Sequence, residues 1–93
     1  MILSFRTKET AALWRGEVSR RLPPEIQQTA RRKLRMLNNA RGLMDLRVPP
    51  ANRLEALKRD RKGQHAIRIN DQWRICFVWT PAGPANVEIV DYH

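Results

Sequence analysis

Cysteine is almost missing from this 93-residue chain, where Cys76 stands alone. One thiol excludes an intrachain disulfide and any cysteine-based metal cluster, and it fits a reducing compartment. Histidine is nearly as scarce: His65 and His93 lie 28 positions apart. That spacing offers none of the close pairings that hold zinc, so no metal and no cofactor are expected. The four glycines, Gly16, Gly42, Gly63 and Gly83, are scattered, which rules out a glycine-rich phosphate loop. Ser4 and Ser19 are the only serines, and neither is set in a recognisable nucleophile arrangement. No apolar run approaches the roughly 20 residues needed to cross a bilayer. Residues 1–6 also lack the charged start and long apolar stretch of a secretory leader. The expectation is a cytoplasmic protein with no membrane partner.

What the chain has in excess is positive charge. Eighteen Lys and Arg face nine Asp and Glu, a net of +9, and the calculated pI is near 11.3. The excess is uneven. Residues 1–62 hold sixteen basic and six acidic side chains, a net of +10. Residues 63–93 hold two basic and three acidic ones, a net of −1. A field of this sign draws phosphate backbones and releases their counterions on binding. The alternative is a basic surface that only solubilises the chain or meets an acidic protein.

An apolar fraction of 42%, with three Trp and two Phe, suffices for one compact core and one domain over residues 1–93. Residues 2–6 read as a short strand, and residues 8–15 as a short helix with Thr7 as N-cap. After Pro23-Pro24, Ile26, Ala30, Leu34 and Leu37 recur along one face of a second helix. Its basic residues Arg31, Arg32, Lys33 and Arg35 are expected on the flanks and solvent face, with its end near Gly42. Residues 43–52 read as a connector. Residues 53–57, 65–70, 73–79 and 86–93 alternate as strands, joined by turns at 59–63, Asp71-Gln72 and 81–84. The order β-α-α-β-β-β-β predicts an α+β, two-layer fold, with helices on one face of a mostly antiparallel sheet. Trp73, Ile75, Phe77 and Trp79 then face the helices. By the same parity Arg74 and Arg68 share the open face with the end of the last strand.

These residues can support metal-free acid–base chemistry on RNA. The ribose 2′-OH attacks its own adjacent phosphate. The protein supplies a base, a cation for the phosphate charge and an acid for the leaving oxygen. Arg74 and Arg68 offer planar forks, and Lys58 a compact charge. Glu55, Asp91, Tyr92 and His93 can move protons, and Tyr92 can instead stack on a base. For each, an ordinary solvated or half-buried strand residue is the plainer alternative. His65 and Cys76 read as packing residues.

Residues 52–58, Gly63, residues 67–77 and the terminal Val87-Glu88-Ile89-Val90-Asp91-Tyr92-His93 together resemble HigB-type toxins of the RelE/ParE superfamily, the plasmid-maintenance killer proteins. The resemblance is strong over about residues 45–93 and rests on pattern alone before that. It implies a RelE-like fold and a type II toxin–antitoxin system. It further implies a ribosome-dependent endoribonuclease, restrained by a HigA-type helix-turn-helix antitoxin, with the ribosome and mRNA as partners. The family's catalytic pattern falls on Lys58, Arg74, Asp91, Tyr92 and His93. Glu55 stands where some relatives have histidine, so the base is left open among Glu55, Asp91 and Tyr92. Arg53, Arg61, Lys62 and Arg68 are the expected RNA contacts. The alternatives are a ParE-like gyrase poison and a non-catalytic nucleic-acid-binding module.

Overall fold

The structure is a computed structural model and describes residues 1–92. Thr7 caps the first helix, α1 (Lys8–Trp14), by accepting a hydrogen bond from the Thr10 N–H at 3.3 Å. Thr10 is itself buried, and its hydroxyl accepts from the Ile89 N–H at 3.0 Å, fixing α1 to the sheet edge. The second helix, α2 (Pro24–Asn39), starts at proline, whose fixed φ suits a first turn. Its stripe of Ile26, Ala30, Leu34 and Leu37 is buried, as the periodicity predicts. Gly42 does not end it. Ala40 turns extended at the C-cap, two residues earlier.

One residue of the expected basic face lies inside. Lys33 is buried, because its Nζ donates to the Asn52 side-chain oxygen at 2.9 Å and the Arg68 carbonyl at 2.6 Å. Desolvation, aided by Arg32 and Arg68, pulls its pKa below the usual lysine value. Arg31 stays half-buried at the surface, donating to the Leu13 and Glu17 carbonyls.

Four antiparallel strands follow: β1 (Glu55–Ala56), β2 (His65–Arg68), β3 (Trp73–Thr80) and β4 (Gly83–Asp91), in that spatial order. Ile67, Ile75, Phe77, Val87 and Ile89 meet the helices in the main core, with Trp73 and Trp79 half-buried at its border. This is the α+β two-layer arrangement expected. The expected first strand shrinks to one parallel bridge, Phe5 to Val87, flanked by bonds from Leu3 N to Pro84 O and Arg6 N to Val87 O. The segment still covers the outer edge of β4, which would otherwise expose unpaired backbone groups.

The expected strand 53–57 keeps only two residues. Two 3-10 turns, Leu43–Arg47 and Pro50–Asn52, occupy the connector, and Arg53 leaves the second in a left-handed conformation. Pairing with β2 cannot begin until that turn ends. Among the described residues, no helix is long and apolar enough to cross a membrane.

Candidate functional site

Strand register determines what the sheet presents on the side away from the helices. Residues directly opposite in an antiparallel pair share a face. One row therefore runs Arg68–Arg74–Val90, and the next Glu55–Ala66–Cys76–Glu88. Tyr92 continues the parity of Glu88 and Val90. This open face is not bare. Leu57, from the segment after β1, packs with Ala66, Cys76 and Val90 in a small second cluster.

Arg68 and Arg74 face each other across β2 and β3, a like-charge pairing that is unfavourable unless each finds other partners. The turn between the strands supplies them. Arg74 Nη1 donates to the Asn70 and Trp73 carbonyls, and Arg68 Nη2 donates to the Asp71 carboxylate. That contact holds Asp71 below the usual carboxylate range. Asn70 tightens the turn further, its side-chain oxygen accepting from the Gln72 and Trp73 N–H groups.

Arg74 also stacks on Tyr92, its guanidinium carbon 5.3 Å from the ring centroid. The Tyr92 N–H donates to the Gln72 carbonyl at 2.6 Å, so Tyr92 is tied to the same turn. Asp91 lies across from Trp73, on the other parity, and its carboxylate accepts from Gln72 Nε2 at 3.0 Å. Arg74 and Tyr92 thus meet on one face, while Asp91 sits at the strand's other side. His93 lies outside the described residues.

Glu55 and Lys58 come from β1 and the segment just after it, both exposed. Arg59–Arg61 then forms a 3-10 turn that returns over the open face. Arg61 Nη1 donates to Glu88 Oε1 at 2.7 Å and to Gln64 Oε1 at 3.1 Å. Arg6 approaches the other Glu88 oxygen at 3.8 Å. The Glu88 bond, above all, holds the Arg61 pKa above its already high ordinary value. Arg53 and Lys62 are exposed at the rim.

Cys76 lies at the centre of this set. Burial pushes its thiol up to about 11, with Arg61, Glu88, Glu55 and Arg74 all acting on it. It stays a neutral thiol at physiological pH, a packing group rather than a nucleophile. His65, whose ring stacks on Phe77 at 6.3 Å, likewise packs.

The arrangement therefore joins an arginine on an aromatic ring, further cations, the exposed Glu55 and the buried Glu88 on one sheet face. A family described as the RelE-like toxin of the type II toxin–antitoxin system HigB matches residues 3–93. The chain belongs to the HigB-like toxin family. It is similar to Toxin HigB-1 of Vibrio cholerae serotype O1 (strain ATCC 39315 / El Tor Inaba N16961), 39% identical over 80 residues, which cover 85% of this chain and 84% of that one. It is also similar to an uncharacterized protein of Haemophilus influenzae (strain ATCC 51907 / DSM 11121 / KW20 / Rd). That likeness is 34% over 62 residues, covering 67% of this chain and 61% of the other. The HigB-like chain is accordingly a type II toxin, and a toxin of this type has an antitoxin as partner.

Two elements of the HigB-like site escape a reading of the sequence. Glu88 and Arg6 carry no mark of a site residue in their charge or type alone. The parity of β4 was a usable signal for Glu88, since Glu88, Val90 and Tyr92 alternate onto the face that Arg74 occupies. Arg6 had no such signal, because it reaches the face from a segment paired only through Phe5.

Proposed function

We propose that this toxin is a ribosome-dependent endoribonuclease that cuts translated mRNA by metal-free acid–base catalysis. The observation that carries the reading is Arg74 stacked on Tyr92 at the open end of the sheet, in a toxin of net charge +9. RNA brings its own nucleophile. As the 2′-oxygen bonds to phosphorus, the bond from phosphorus to the 5′-oxygen breaks. A base takes the 2′ proton and an acid returns one to the 5′-oxygen.

Arg74 and Lys58 meet the charge that builds on the phosphate, the first with a planar fork and the second as a point charge. Tyr92 and Glu55 carry protons on the open face, Asp91 does so at the end of β4, and His93 completes the acid–base set. Arg53, Arg61, Lys62 and Arg68 contact neighbouring phosphates. The ribosome aligns the message, so proximity comes from the complex rather than from a deep pocket. The antitoxin is read as a HigA-type helix-turn-helix protein.

Inducing the toxin in cells and mapping messenger ends by primer extension tests this reading. New ends inside translated reading frames are expected, falling about 100-fold or more with Arg74→Ala, in line with loss of a transition-state donor. Growth arrest without new ends, surviving deletion of residues 92–93, would instead identify a gyrase poison.

A further inference from the structure

Glu88 is a carboxylate with only 7% of its surface exposed, yet it lies on the open face rather than in the helix-packed core. A buried carboxylate is costly unless paired and hydrogen-bonded. Its main partner, Arg61, arrives from a 3-10 turn 27 positions earlier, and its side chain stays one-third exposed. Arg61 is gripped at a single nitrogen, Nη1, by Glu88 and Gln64. A guanidinium has five N–H donors, and a bidentate phosphate needs two of the others.

A cleft of about 270 Å³ lies between Arg6, Asp60, Arg61 and Gln64. Its lining carries a net formal charge of +1, which Glu88, bonded to Arg61 beside it, offsets. Such a cleft is poorly suited to trapping a free anion. It suits a phosphate already tethered in a strand, met by a fork held at a fixed angle. Glu88 is two residues from Val90, the β4 partner of Arg74, which is a step of about 7 Å along the strand. Arg61 therefore stands one step along the face from the Arg74–Tyr92 pair.

We propose that Glu88 is a positioning residue, which clamps Arg61 on the open face so that Arg61 binds an RNA phosphate flanking the one held by Arg74. This rests on the endoribonuclease reading above. A merely structural ion pair would also explain the contact, and the two accounts differ in what its loss does.

The test is single-turnover cleavage on mRNA-programmed ribosomes, with full-length toxin in excess and its concentration and the salt varied. Thermal melts accompany each variant. Glu88→Gln and Arg61→Ala should each raise the half-saturating toxin concentration about tenfold and lower the salt slope by about one phosphate contact. The maximal rate should stay within about twofold, and the double variant should be no worse than Arg61→Ala. Glu88→Asp, which keeps the charge but withdraws the carboxylate, should shift half-saturation the same way by less, and it carries the test if Glu88→Gln does not fold.

Unchanged half-saturation and salt slope in a folded Glu88 variant would overturn the assignment while leaving the endoribonuclease reading intact. So would a Glu88→Gln effect that multiplies that of Arg61→Ala. A wild-type toxin that cuts nothing on these ribosomes would overturn both.

Discussion

Lys33 is a charged side chain on a helix face that packs inward, and its two acceptors explain why it is tolerated. Its Nζ joins Asn52, which is fully buried, to the carbonyl of Arg68 at the end of β2. Asn52 passes the tie onward by donating to the Leu46 carbonyl at 3.1 Å. One cation thus pins the connector to the strand that carries Arg68. Lys33→Ala should cost about 2–4 kcal/mol, since it strands two buried acceptors, and urea denaturation would measure it. Helical spacing sets this lysine seven positions after Ile26 and four before Leu37, beside the apolar stripe, so a reading by charge alone places it wrongly. Only the connector's path supplies its partners.

Cys76 gives the fold a pH dependence. Its folded-state pKa is raised, mainly by burial, from an ordinary 9.0 to about 11. A group of raised pKa contributes stability that is fully present below the unfolded value and is lost as pH rises through the folded one. The urea midpoint of the wild type should therefore fall between pH 9 and 11. Cys76→Ala should fall less steeply over the same window. An identical fall in both proteins would show that the thiol does not titrate there.

Among the elements, the β3–β4 hairpin does most to fix the site, because it aligns Arg74, Glu88 and Tyr92. Its turn glycine, Gly83, adopts a φ of +138°, and a Cβ there would lie 2.4 Å from the Met1 carbonyl oxygen. Gly83→Ala should cost about 1–3 kcal/mol. It should also loosen the N-terminal segment from β4, so that hydrogen exchange at the Leu3 and Arg6 amides accelerates. Exchange rates equal to the wild type would contradict that coupling.

The hairpin was legible from alternation and turn residues, and α2 from its apolar stripe. The strand at 53–57 was not. Its alternation is real, but Pro49, Pro50 and the left-handed Arg53 use the preceding residues for turns, and two residues remain to pair. The first strand likewise gives way, since residues 2–6 reach β4 at its edge and make a single bridge.

Across the whole molecule, the two-layer design separates the main core from the candidate site. Helices cover one sheet face and bury the main core, which leaves the other face to polar and charged groups around the small Leu57–Ala66–Cys76–Val90 cluster. Sequence parity is enough to assign Arg68, Arg74 and Tyr92 to that face. It says nothing of how the 57–64 segment folds back, and so it misses the Arg61–Glu88 pair.

In the proposed reaction the 2′-OH of RNA is the nucleophile and side chains at this site move its protons. The end groups of the cleaved message test it most directly. Fragments from toxin-treated programmed ribosomes should carry a 5′-hydroxyl on one side of the cut and a 2′,3′-cyclic phosphate or 3′-phosphate on the other. A 5′-phosphate facing a 3′-hydroxyl would mean that water, not the ribose, attacked, and would rule this reaction out.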